Sequence, residues 1–244
     1  MFLRRHSIVT YAVWVILIGA SIWAFALGDW MIGAVGLATL GLSIAPAIMA
    51  ERLHLQIPVY FYAGIVLFLF GTVFLGEAFD FYERFWWWDL FLHATSAVGF
   101  GIVGVVLTLL MFEGDRYAAP AYAVAGIAFA FAVTIGVTWE IFEYAVDQVF
   151  GFNMQKSGLD DTMTDLMVDC LGAALGAASG YAFLRGRSRY GLSGIVAQFV
   201  LNNRRYFRRA AEHKVDKIER KTERLREKRD ALKARIAEEE AARD

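Results

Sequence analysis

Residues 161–184 read DTMTDLMVDCLGAALGAASGYAFL. Asp161, Asp165 and Asp169 recur at a spacing of four, and Gly172, Gly176 and Gly180 continue that spacing through a run without formal charge. At about 100° per residue these six positions fall within an arc of about 100° on one helix. A single face therefore carries acids at one end and a Gly-x-x-x-Gly-x-x-x-Gly ridge at the other. Such a ridge lets a neighbouring helix approach closely, which brings the carboxylates above it against residues of that neighbour. At about 1.5 Å rise per residue the stretch is also long enough to cross a hydrocarbon core of about 30 Å.

The rest of the chain agrees with a membrane setting. Of 244 residues, 58% are hydrophobic and 15% aromatic, only 3 are proline, and the mean hydropathy is +0.45. A soluble domain could not bury that much apolar surface, so the bilayer is the expected solvent. Six apolar stretches reach spanning length, at residues 7–27, 31–50, 58–79, 86–112, 118–150 and 162–184. The fifth is longer than a span needs and either tilts or projects. Helices are required because open strands would leave backbone groups unpaired in lipid, and long rather than alternating apolar runs exclude a β-barrel. The predicted fold class is an all-α polytopic membrane protein with six transmembrane helices and a C-terminal cytoplasmic charged helix. Its two parts are a transmembrane domain, residues 1–184 with the candidate site in 86–180, and a basic, charged tail, 185–244. Cys170 is the only cysteine, which rules out an intrachain disulfide.

The overall charge of −1 hides a division. Up to Leu184 there are six Lys and Arg against fifteen Asp and Glu, a net −9, and after it eighteen against ten, a net +8. Arg4 and Arg5, Arg52, Arg116 and the tail fall on one side of the membrane path. Asp29, then Glu77, Asp80, Glu83 and Arg84, then Lys156 and Asp160 fall on the other. The positive-inside rule places both termini in the cytoplasm. The first span resembles a signal peptide around Ala24-Phe25-Ala26, but its apolar stretch exceeds the ~7–15 residues of a signal core, so it is expected to stay. Trp86, Trp87 and Trp88 with Tyr82 read as an aromatic belt at the outer headgroups.

In the tail, Arg204, Arg205, Arg208 and Arg209, interleaved with Tyr206 and Phe207, lie just past a span and are expected to hold anionic lipid headgroups rather than nucleic acid. Val215, Ile218, Leu225, Leu232 and Ile236 form a heptad seam broken by Thr222 and Arg229. It fits either a weak coiled coil, giving a homo-oligomer or a cytoplasmic protein partner through 204–244, or a solvated helix laced with i,i+4 ion pairs.

The candidate site lies in the last three spans. Asp89 and His93 begin the fourth, Glu140, Glu143 and Asp147 end the fifth, and Asp161, Asp165 and Asp169 begin the sixth. The topology, drawn from Lys and Arg alone, puts all three sets in the outer half of the membrane. Asp89 and His93 share a helix face, and Glu140, Glu143 and Asp147 form a narrow stripe. An ionised carboxylate in hydrocarbon costs several kcal/mol, so these acids are protonated, face water, or hold a cation. Oxygen ligands with one imidazole suit Zn, Mn or Fe, and without the histidine Mg or Ca. The expected ligands of a divalent metal cation are Asp89, His93, Glu140, Glu143, Asp161, Asp165 and Asp169, with His93 and Glu140 as catalytic candidates. Blander readings stand beside these. Asp147, Asp160 and Asp161 suit headgroup level, Asp161 as a helix N-terminal acid, and His93 suits a structural imidazole bonded to Asp89. His6, His54 and His213 fall on the cytoplasmic side without comparable company.

The elements Asp89-x-x-x-His93, Trp139-Glu140-x-x-Glu143 and Asp161-Thr162-x-x-Asp165-x-x-x-Asp169-x-x-Gly172-x-x-x-Gly176 resemble the YjdF-like family of bacterial inner-membrane proteins. More distantly they are similar to VanZ-like proteins, whose pattern has Gln where Glu143 stands and Asn where Asp169 stands. The resemblance covers residues 86–180 and implies an integral membrane protein of undetermined biochemical activity. Two neutral amides exchanged for acids strengthen the expectation of cation or proton binding.

Three functions are compatible with the sequence. The first is a metal-dependent enzyme acting on a lipid or lipid-linked envelope substrate at the outer leaflet, with a bound water as attacking group, since no serine or cysteine stands in a nucleophile motif. The second is a proton- or cation-coupled transporter, disfavoured because the first three spans lack ionisable residues to match the last three. The third is a structural membrane partner acting through its C-terminal helix.

Overall fold

The computed structural model describes residues 6–112, 119–187, 191–207, 222–225 and 229. In chain order the helices are α1 (Ile8–Ala26), α2 (Trp30–Arg52), α3 (Val59–Leu69) prolonged by a π-helical segment (Phe70–Glu77), a short α4 (Phe81–Arg84), α5 (Trp88–Met111), α6 (Ala121–Phe150), α7 (Leu159–Leu184) and α8 (Leu192–Asn202). No strand occurs among the described residues, and six helices are long and apolar enough to cross a membrane. The chain is an all-α polytopic membrane protein, as its sequence predicts.

Local chemistry sets the helix ends. Ser7 caps α1 by accepting from the Thr10 amide at 3.1 Å, and Asp29 caps α2 by accepting from the Ile32 amide at 3.1 Å. Pro58 and Pro120 stand just before α3 and α6, where a fixed φ starts a helix, while Pro46 lies inside α2. The third span departs from the single α-helix expected over 58–79. Its second half relaxes into π turns, which loosen the carbonyl ladder, and there the Gly71 carbonyl accepts the Trp88 indole N–H at 3.3 Å. Trp88 is thus committed to the contact between the π segment and α5, whereas Trp86 is 83% exposed.

Two apolar clusters organise the bundle. Val13, Trp14 and Leu17 of α1 meet Tyr62 and Val66 of α3 and Phe74 of the π segment. There the Trp14 indole donates to Ser43 Oγ at 2.9 Å and the Tyr62 hydroxyl to the Ser43 carbonyl at 2.7 Å, so these two aromatic donors are satisfied within the cluster. The second cluster joins Ile102, Val105 and Leu109 of α5, Val124 and Ala128 of α6, Ala177 of α7 and Val196 of α8.

Helix α7 is the centre of the second half, packed first against α5 and then α6. Its glycine ridge faces α5. A Cβ added at Gly172 would lie 2.6 Å from the Ala94 carbonyl oxygen, and one at Gly176 would lie 2.5 Å from that of Val98 and 2.8 Å from the Gly101 Cα. Gly101 thus matches Gly176 across the crossing, which the sequence reading of α7 alone did not reveal.

Beyond α7 the chain returns to the bundle. Val196 is fully buried and Asn203 is 2% exposed. The Asn203 side chain takes both polar groups of the Gln56 backbone, accepting its N–H at 2.7 Å and donating to its carbonyl at 2.9 Å. Tyr206 donates to the Leu53 carbonyl at 2.6 Å and Arg205 to that of His54. His6 sits at the same end, its ring 4.7 Å from that of Tyr62, and burial lowers its pKa. Lys156 and Glu83 pair at the opposite end. Two of the basic arginines, Arg208 and Arg209, and most of the heptad seam, including Val215, Ile218, Leu232 and Ile236, lie outside the described residues. Within them Arg204 is exposed and Leu225 is 58% exposed.

Gly176→Ala should lower stability by about 1–3 kcal/mol, because backbone faces it and cannot yield as a flexible side chain would. Gly99→Ala, on the same bundle with nothing within 4 Å of the new methyl, should be neutral or stabilising by up to about 1 kcal/mol. Paired thermal unfolding curves in one detergent check the contrast.

Candidate functional site

The approach of α7 to α5 fixes what lies above the glycines. Asp89 and His93 occupy the first two turns of α5, Asp165 and Asp169 the second and third turns of α7, and Glu140 lies on α6 facing both. His93 is central. Its Nε2 lies 3.9 Å from Asp89 Oδ1, 3.8 Å from Glu140 Oε1 and 4.0 Å from Asp165 Oδ2, and its Nδ1 lies 3.3 Å from Asp169 Oδ1. Ligand atoms of Asp89, His93 and Asp165 all fall within 4.8 Å of one another, close enough to share one metal ion.

Burial makes this group costly. Glu140 is 4%, Asp165 2% and Asp169 2% exposed, and Asp89 forms the half-buried rim. Both Glu140 carboxylate oxygens, Asp165 Oδ2 and Asp169 Oδ2 have no hydrogen-bond partner. The Thr162 hydroxyl comes near Glu140 but not in bonding geometry. One imidazole cannot neutralise four carboxylates, and a buried, unpaired carboxylate costs several kcal/mol. Protons or a cation must offset that charge.

Five of the seven expected ligands therefore converge. The other two are engaged at the rim, where Glu143 accepts the Trp139 indole N–H at 2.8 Å and Asp161 accepts the Lys156 amide at 3.2 Å. Asp147 braces the connection after α6 by accepting the Met154 and Gln155 amides at 2.7 and 2.9 Å. That connection turns at Gly151 and Gly158, whose φ of +70° and +66° favour glycine. Between them Lys156 reaches across to α4, where its Nζ lies 3.2 Å from Glu83 Oε1 and 4.8 Å from the centre of the Tyr82 ring. The Tyr82 ring packs on Gly76 of the π segment. Its phenol pKa is raised, first by burial and then by Asp89, Glu77 and Glu143.

Two contributors escaped the sequence reading. A Cβ on Gly136 of α6 would collide with the Asp169 carboxylate, so this glycine is the slot that the carboxylate occupies. Gly136 precedes Glu140 by four and follows Ala128 and Ala132 at the same spacing, and that line of small residues leading to an acid is the signal that could have found it. Tyr82 was legible only as part of the aromatic belt, because its place beside Lys156 and Gly76 depends on how α4 folds over the π segment.

A membrane bundle with five polar side chains gathered in helices five to seven can now be compared with known proteins. The family described as "Predicted membrane protein (DUF2238)" matches residues 5–186. This chain belongs to that family. The match takes in all six long helices and every residue around His93, and the YjdF-like resemblance fits it. The DUF2238 chain is also similar to a Thermotoga maritima protein carrying the name "Uncharacterized protein", 31% identical over 127 residues. The aligned part makes up 50% of this chain and 62% of that relative. No solved structure matches the chain.

Asp147→Ala should free the two amides that its carboxylate holds. Hydrogen–deuterium exchange at Met154 and Gln155 is expected to quicken by 10-fold or more, about 1.4 kcal/mol of lost protection per tenfold, with α5 unchanged.

Proposed function

We propose that this DUF2238 protein binds a divalent cation between α5, α6 and α7 and acts as a metal-dependent enzyme on a lipid or lipid-linked envelope substrate. The supporting observation is four carboxylate oxygens without hydrogen-bond partners, on residues at least 96% buried, around a single imidazole. Asp89, His93 and Asp165 form the ligand set. Imidazole with carboxylates suits Zn, Mn or Fe, and Mg is the harder alternative. The YjdF-like resemblance supports a bacterial inner membrane and the charge asymmetry supports cytoplasmic termini, an orientation in which the site lies in the outer half of the bilayer.

Such an ion polarises a phosphoryl or acyl oxygen and acidifies bound water. Glu140 suits the base, since it lies 3.8 Å from His93 Nε2, outside the ligand set, with both oxygens available to receive a proton. Cation transport draws on the same acids. It is the weaker reading because the buried polar groups described in α1, α2 and α3 include the hydroxyls of Thr10, Ser21, Thr39 and Ser43 but no acid. Apart from Arg205 and Tyr206, which bond to the turn between α2 and α3, the segment 204–244 is left for contact with membrane lipid, with a second copy or with a cytoplasmic protein.

Purified full-length protein should carry close to one equivalent of Zn, Mn or Fe by mass spectrometry, lost in folded His93→Ala and Asp165→Ala variants. Glu140→Gln should retain the metal. No metal after reconstitution with each ion in turn would instead support protonated acids that fix helix packing, and cation flux in proteoliposomes abolished by Asp165→Asn would support transport.

A further inference from the structure

Asp169 and Asp165 are one helical turn apart on α7 and equally buried, yet they meet opposite edges of the same imidazole. Asp165, Asp89 and Glu140 gather around Nε2 at 3.8–4.0 Å, whereas Asp169 alone lies on the Nδ1 side, at 3.3 Å. A tetrahedral ion about 2.1 Å from each ligand atom separates those atoms by roughly 3.4 Å, so Asp89, Asp165 and His93 Nε2, whose ligand atoms already lie within 4.8 Å of one another, need only a modest contraction to share it. An ion on that side has the imidazole ring between itself and Asp169. Three unpartnered, deeply buried oxygens, both of Glu140 and Oδ2 of Asp165, belong to the Nε2 side against one, Oδ2 of Asp169, on the Nδ1 side, so the larger uncompensated charge lies toward Nε2.

We infer that Asp169 is not a ligand but a positioning residue. Its carboxylate accepts the Nδ1–H of His93, which fixes the tautomer, leaves Nε2 bare and turns it toward Asp89 and Asp165. This inference rests on the cation reading above. Gly136 is the second half of the device. Any side chain there would occupy the space of Asp169 Oδ2, so the carboxylate reaches the ring only because α6 presents bare backbone at that turn. Gly172, one residue triplet further along α7, closes α7 on Ala94 and Ala97 beside His93, so the ring cannot retreat from the carboxylate. An outer carboxylate of this kind orients a ligating histidine and raises its basicity, and its loss weakens metal binding by about 10–100-fold.

Zinc affinity of the full-length protein in detergent, measured by chelator competition, tests this together with nitrogen-15 spectra of histidine-labelled, zinc-loaded protein assigned through His93→Ala. Asp169→Asn keeps an oxygen that can accept Nδ1–H and should bind zinc within about threefold of the wild type. Asp169→Ala and Gly136→Ala should bind about 10–100-fold more weakly, and the wild-type spectrum should have His93 protonated at Nδ1 and coordinated through Nε2. Coordination through Nδ1, an Asp169→Asn loss as large as that of Asp165→Asn, or wild-type affinity in Asp169→Ala would each overturn the inference while leaving the cation reading in place. Wild-type protein that takes up no zinc, manganese or iron would remove the cation reading and this inference with it. If Asp169→Ala fails to fold, the Asn variant and the spectrum decide.

Discussion

Two helices that touch through bare backbone form the constraint on which the rest of this molecule depends. Where Gly172 and Gly176 of α7 meet Ala94, Ala97, Val98 and Gly101 of α5, backbone and one alanine methyl are what the glycines face. The same contact that a membrane helix pair needs for packing, in the absence of a hydrophobic driving force within lipid, sets the distance between His93 and the two α7 aspartates. Stability and chemistry share one interface. An alteration in the glycine contact is felt three or four residues away by a carboxylate whose charge has no alternative partner.

The bundle concentrates its polar burden in one half. In α2 the buried hydroxyls of Thr39 and Ser43 bond to nearby carbonyls and to the Trp14 indole, and what α1 leaves unpartnered, Ser21 Oγ and the Tyr11 hydroxyl, is neutral and so less costly than a carboxylate. Helices α5 to α7 bury three acids and an imidazole, with a fourth acid, Asp89, half-buried beside them, and leave four oxygens without partners. Proteins tolerate such groups where function requires them, and the surroundings are built accordingly. Above the acids, the connection from α6 to α7 is tied down by Asp147 and by Lys156 reaching Glu83 and Tyr82. The π segment takes part from the other half, through Gly71 with Trp88 and Gly76 with Tyr82.

Much of this was legible in the sequence, for reasons of periodicity. Spanning length and composition gave the six helices to within a few residues, and the four-residue spacing along α7 predicted both the ridge and the acids above it. Asp89, His93, Glu140, Asp165 and Asp169 came together because their depths and faces are fixed by helix geometry. Glu143 and Asp161 lie on the right faces but at the rim, where an indole and a loop amide engage them, and no periodicity reveals such partners. The π turns of the third span were illegible, since no periodicity marks them and their contacts with Trp88 and Tyr82 join segments that only the fold brings together. Gly101 and Gly136 became meaningful only when the helices opposite them were in place.

Asn203 gives the chain an unexpected mechanical boundary. By occupying both polar groups of the Gln56 peptide, with Arg205 and Tyr206 on the carbonyls just before it, the segment after α8 acts as a splint for the turn joining α2 and α3. A chain shortened at the end of the last spanning helix would lose more than an appendage, because it would strip hydrogen bonds from a turn almost 150 residues earlier. The splint also makes the far end of the chain a carrier of force, since a pull on the charged C-terminal segment would reach the α2–α3 turn before it reached α7.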